Sequence, residues 1–71
     1  MISYEPLFAT LEEKNVKLYD LFNDLGLAKA TVAKLRKGES LQLKTIERIC
    51  QYLGVPIEKV VRIDIAKNPD A

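Results

Sequence analysis

KLYDLFNDLGLAKATVAKLRKG, residues 17–38, is the stretch whose reading decides the fold. In its first half Leu18, Leu21, Phe22 and Leu25 recur at i, i+3, i+4 and i+7. That is one apolar stripe on a short helix. Gly26 follows at once, where a helix end favours a residue that accepts positive φ. A second helix is predicted over 28–37, with Val32 and Leu35 as its buried face and Gly38 closing it. The rest of that helix carries Lys29, Lys34, Arg36 and Lys37, and no acid stands between Leu27 and Gly38.

A helix, a glycine-containing turn and a basic helix with a narrow apolar seam form a helix-turn-helix. The residue types suit the task. The second helix must enter a DNA groove, so only a thin seam faces the protein. The remaining surface must be cationic, or small enough to approach base edges and phosphates. A helical hairpin with a solvated Lys/Arg face would show the same charge run. The spacing taken with the one-sided charge favours DNA.

The 71 residues make one domain at most. A chain of this length buries only ~60% of its unfolded surface, so its stability is marginal or helped by a partner. Net charge is +1, but it is unevenly spread. Residues 1–16 are net −2, residues 17–48 hold seven bases and four acids, and residues 49–71 balance. The positive charge thus falls where the helix-turn-helix lies. One cysteine allows no internal disulfide, and the absence of His removes a Cys/His zinc site and the usual general base. No cofactor is expected. The N-terminus does not read as a signal peptide, and no apolar run reaches membrane-spanning length, so a cytoplasmic location with no membrane partner is expected.

Ser3 is expected to cap a first helix from about Tyr4, with Pro6 in its opening turn. Its apolar face is Leu7, Phe8 and Leu11, and Asn15 can end it in a left-handed conformation. After the loop at 39–42, Leu43, Ile46, Ile49, Cys50 and Leu53 recur at helical spacing up to Gly54. Cys50 lies on that stripe, where a buried, inert thiol is expected rather than a nucleophile. Val55-Pro56 opens a last short helix with Ile57, Val60 and Val61 as its apolar face. Val61, Ile63 and Ile65 then alternate with Arg62, Asp64 and Ala66, the period of a strand. A lone strand has no partner in an otherwise helical chain. It would pair with its copy in a second chain, or continue the helix. Residues 67–71 read as a frayed tail. The expected fold is therefore all-α, five compact helices with a short C-terminal strand as a variant, over 2–65.

In this order of helices the chain resembles the lambda-repressor-like, Cro/CI-type (XRE-type) helix-turn-helix regulators of bacteria, phages and mobile elements. The resemblance runs from about Ile2 to Val61 and is carried by LGLAKATVAKLRKG and TIERICQYLGVPIEKVV. It implies a five-helix DNA-binding domain, mostly in repressors, often dimeric, with the third helix in the major groove. Matched on Gly26 and Gly38, base-reading positions fall on Lys29, Ala30 and Lys34, and a phosphate position on Lys37. Thr31 lies between them, and Arg36 and Lys44 are added as backbone contacts. There are three departures. Leu18 replaces a phosphate-binding Gln, Phe22 replaces a small Ala, and Ala28 replaces a Ser or Thr cap.

Two functions follow. The first is a sequence-specific DNA-binding regulator acting on double-stranded DNA, expected as a homodimer. Its dimer surface would include Val60, Val61, Ile63 and Ile65, unless these pack within the chain. The second is a protein-interaction module that keeps the fold without the DNA role. An enzyme is rejected: there is no phosphate-binding glycine loop, metal-ligand cluster or nucleophile–base pair.

Overall fold

The structure, a computed structural model, describes residues 1–65; the tail expected at 67–71 lies outside the described residues. In chain order the elements are β1 (Ile2–Ser3), α1 (Glu5–Glu13), α2 (Leu18–Leu25), α3 (Lys29–Lys37) and α4 (Leu43–Leu53). A 3-10 turn (Ile57–Lys59) and β2 (Arg62–Ile63) follow. All four α-helices stop by one device. The residue past the end is left-handed at Gly26, Gly38 and Gly54, and after α1 the left-handed residue is Asn15, one position beyond Lys14. The next N–H then donates back five residues, from Val16 to Leu11, Leu27 to Phe22, Glu39 to Lys34 and Val55 to Cys50. This closure satisfies carbonyls that a helix end leaves open.

Two expectations are corrected. Among the described residues there are four α-helices rather than five, because the segment after Pro56 makes only a 3-10 turn. The carbonyl of Lys59, which a continuing helix would need, instead accepts the Thr10 hydroxyl at 2.7 Å. The C-terminal strand also has a partner in its own chain. It runs antiparallel to β1, with Ile2 opposite Ile63 and Ser3 opposite Arg62. The Asp64 N–H donates to the Met1 carbonyl at 2.7 Å, and the terminal ammonium donates to the Asp64 carbonyl. Arg62 ties this clip to α1, pairing with Glu5 at 2.9 Å and with Asp64 at 2.6 Å. The guanidinium beside Asp64 holds that carboxyl below its ordinary range.

The core centres on Leu7, Leu21, Leu35, Ile49 and Val60, all fully buried, with Tyr4, Leu11, Ile46 and Leu53 around them. Burying each such aliphatic side chain is worth about 1.5–3 kcal/mol. Tyr4 is the N-cap of α1, as expected for a helix starting there, and is also a core residue, its hydroxyl donating to the Glu39 carbonyl at 2.8 Å. Ser3 makes no cap on α1 through its N-cap residue, Tyr4; the Glu5 N–H reaches its hydroxyl at a long 3.3 Å. Phe8 and Leu43, expected in the core, are exposed at 38% and 73%. The described residues contain no helix long and apolar enough to cross a membrane.

Gly38 is the tightest point. Its φ is +71°, and a Cβ there would stand 2.9 Å from the Ile2 carbonyl oxygen. Gly26 has a similar φ of +65° with nothing within 4 Å. The left-handed conformation alone costs an L-residue about 1–2 kcal/mol. Gly26→Ala should therefore lose about that amount in a urea melt, and Gly38→Ala should lose more, because the backbone of β1 must also move. Equal losses at the two sites would show that β1 does not press on the end of α3.

Candidate nucleic-acid interface

The stretch from α2 to α3 folds as the apolar spacing requires. Leu21 on α2 and Leu35 on α3 are fully buried, and Leu27 in the turn between the helices is buried as well. Leu18 and Leu25 pack against the core from the two ends of α2. Phe22 is half-buried, and its ring meets Tyr19 edge-on at 5.7 Å. Two contacts hold α4 against the C-terminal end of α2. The Arg48 guanidinium donates to the Leu25 carbonyl at 2.5 Å, and the Tyr52 hydroxyl donates to Asp24 at 2.5 Å. The hydrogen bond to Asp24 raises the Tyr52 pKa.

α3 buries one side chain, Leu35, while Thr31 and Val32 are half-buried. Lys29, Ala30, Ala33, Lys34, Arg36 and Lys37 are exposed. At helical spacing Ala30, Ala33 and Lys37 share the face opposite Leu35. The outermost strip of α3 is thus two methyl groups and a lysine, flanked by Lys29 and Lys34. Small side chains there let the helix axis come close to base edges, while the lysines reach past them. Ala33 was not singled out from the sequence; its place one turn after Ala30 was the available signal.

The helix ends are charged asymmetrically. α1 and α2 carry an acid in the first turn, Glu5 and Asp20. α3 and α4 carry none, and neither N-cap residue, Ala28 or Gln42, makes a side-chain cap. The positive ends of α3 and α4 are therefore not neutralised from within the chain. Lys34, Arg36 and Lys37 in the last turn of α3 favour its negative end, so the same cations also support the helix.

A polar cleft of about 420 Å³ opens between α3 and the start of α4. Thr31 and Lys34 line it from α3, and Ser40, Gln42 and Thr45 from the loop and α4. It brings together two of the expected site residues with three that the sequence reading did not name. Ser40, Gln42 and Thr45 carry no charge and no motif, so only their placement beside Lys34 marks them. Lys44 is not part of this cleft; it lines an apolar depression between α4 and the 3-10 turn. Of the four residues expected at a dimer surface, Val60 has no exposed area and belongs to the core, and Val61 packs against it. Ile63 and Ile65 are exposed. Cys50 is half-buried, and burial pushes its thiol pKa up, which makes it a poor nucleophile.

Four helices, the second and third joined by a buried-leucine turn and the third presenting a basic outer face, define a helix-turn-helix domain. A family model for the Cro/C1-type HTH DNA-binding domain matches residues 8–63, and the chain belongs to that family. No curated protein matches it. Among solved structures it is similar to the transcriptional regulator VanUg, with a TM-score of 0.83 and 31% sequence identity over 86% of this chain and 81% of that one.

Because the outer residues of α3 are exposed, they should be separable from stability. Lys29→Gln, Ala33→Ser and Lys34→Gln should each shift the unfolding free energy by less than about 0.5 kcal/mol. Leu35→Ala on the same helix should cost about 2–5 kcal/mol. A chemical denaturation series checks both. Large losses at the lysines would mean that their role is structural.

Proposed function

We propose that this chain is a sequence-specific DNA-binding regulator that places α3 in the major groove. The observation that carries this reading is the composition of the outer face of α3, small and cationic with no acid, on the second helix of a helix-turn-helix. Lys29 and Lys34 would donate to base edges, and Ala30 and Ala33 would lie against thymine methyl groups. Lys37 and Arg36 would hold the phosphate backbone. Thr31, Ser40, Gln42 and Thr45 would receive a phosphate in the cleft beside Lys34, next to the uncapped end of α4. VanUg, similar over most of both chains and named a transcriptional regulator, supports the same role.

The output proposed is repression through occupancy of the operator, which requires only the surface described here. A single copy makes few base contacts, each worth about 1–3 kcal/mol of discrimination, so two copies on half-sites about 34 Å apart are expected to act together. The exposed apolar depression beside Lys44 favours a second reading, a protein-interaction module, and the same experiment separates the two.

That experiment is binding to a mixed-sequence duplex across a salt series, with Lys29→Glu/Lys34→Glu alongside. The wild type should bind and weaken steeply as salt rises, because neutralised phosphates release counterions. The folded double variant should not bind. If neither protein binds at low salt while both remain folded, the DNA reading fails.

A further inference from the structure

The loop between α3 and α4, residues 39–42, supplies Ser40 and Gln42 to the polar cleft that Thr31 and Lys34 line from α3. Both loop side chains are exposed. Among the described residues one side-chain hydrogen bond reaches this loop, from the Tyr4 hydroxyl to the Glu39 carbonyl at 2.8 Å. We propose that Tyr4 is a positioning residue of the cleft, its hydroxyl seating the loop so that Ser40 and Gln42 stand beside Lys34 to share a phosphate; this rests on the DNA reading above.

Three observations support the assignment. The first is the hydroxyl itself. Tyr4 is buried among the core side chains, where phenylalanine would supply the same ring. A buried hydroxyl costs stability unless it is bonded, and this one finds its partner 35 positions along the chain. The second is where the bond falls. The Glu39 N–H closes α3 on the Lys34 carbonyl, and the Gln42 carbonyl accepts the first N–H groups of α4. Tyr4 therefore grips the loop between the two helix ends that form the walls of the cleft. Burial pushes its pKa up, against the opposing pull of the Leu41 backbone, so the hydroxyl stays a protonated donor at neutral pH. The third is continuity. Tyr4 directly follows β1, whose Ile2 carbonyl lies against Gly38, the residue before Glu39. One segment, residues 2–4, thus sets both the end of α3 and the start of the loop, and β2 holds that segment from its other side.

Neutral donors grip a phosphate only when they converge on it, because hydrogen bonds weaken steeply with poor geometry. A displaced loop loses the contribution of Ser40 and Gln42 and leaves the charge of Lys34 in place. That difference gives Tyr4 a signature of its own in a salt series.

The test is binding of the full chain to a mixed-sequence duplex across a salt series. The variants are Tyr4→Phe, Ser40→Ala/Gln42→Ala and Lys29→Gln, with Tyr4→Phe also combined with each of the others, and circular dichroism establishes folding. Tyr4→Phe should weaken binding about threefold to tenfold, the loss of about one hydrogen bond. The factor should be the same at every salt concentration, because no cation is lost, whereas Lys29→Gln should lower the salt slope by about one. Tyr4→Phe should cost little more in the Ser40→Ala/Gln42→Ala background, and its effect should add to that of Lys29→Gln at the far end of α3. The amide NMR spectrum of the free protein is a second readout. In Tyr4→Phe the amides of Ser40, Leu41 and Gln42 should shift and exchange faster, with those of α2 unmoved.

A folded Tyr4→Phe that binds as the wild type does overturns the proposal, as does a loss that adds in full to that of the loop variant. Unmoved loop amides overturn it whether or not the protein binds DNA. An unfolded Tyr4→Phe does so too, because the hydroxyl then holds the fold rather than the cleft. If no protein binds at low salt while the loop amides of Tyr4→Phe do shift, it is the DNA reading that fails, and Tyr4 remains the anchor of the loop.

Discussion

α3 has nine residues and commits one of them, Leu35, fully to the core. A single buried leucine contributes about 1.5–3 kcal/mol and leaves a helix free to roll about that contact. The direction of α3 therefore depends on how its two ends are held, and much of the remaining structure serves that purpose. At the N-terminal end, buried Leu27 and the closure from Leu27 to Phe22 lock α2 to α3 through one short turn. At the C-terminal end, Gly38 lies so close to the Ile2 carbonyl that no side chain fits without movement, and Tyr4 donates to the Glu39 carbonyl.

The N-terminal segment thus reaches the end of the basic helix through the Ile2 backbone and the Tyr4 hydroxyl, and is itself held by the C-terminal strand. β1 pairs with β2, Arg62 bridges Glu5 and Asp64, and the Thr10 hydroxyl on α1 donates to the Lys59 carbonyl. A two-stranded ribbon of this length has little stability of its own. It persists because Ile2 and Val61 pack against the core, and because it closes the chain on itself.

Charge is arranged along the same lines. The net charge of +1 hides a division of labour. Acids occupy α1 and the exposed side of α2, where Asp24 and Glu5 pair with Tyr52 and Arg62. The starts of α3 and α4 have none. Leaving those ends uncapped forgoes about 1 kcal/mol of helix stability at each. It keeps a positive surface beside a polar cleft, as contact with a polyanion requires.

What the sequence determined by itself was local. The apolar spacing placed α2, α3 and α4, and the left-handed closures at Asn15, Gly26, Gly38 and Gly54 could be read because they depend on residues within a few positions. The outer lysines of α3 were legible for the same reason. The tertiary structure decided whatever joins distant residues. Two-residue strands are too short to show a period, so β1 was invisible and β2 lacked its partner. Periodicity alone puts Leu43 inside the core, yet the start of α4 is left uncovered, while Tyr4 at the start of α1 is buried and bonded to Glu39 far along the chain. The segment after Pro56 makes a single 3-10 turn rather than a fifth helix, and the Lys59 carbonyl at its end accepts the hydroxyl of Thr10, a residue with no motif. Ser40, Gln42 and Thr45 likewise became candidates only when folding set them beside Lys34, because neutral polar side chains acquire meaning from their surroundings rather than from their spacing.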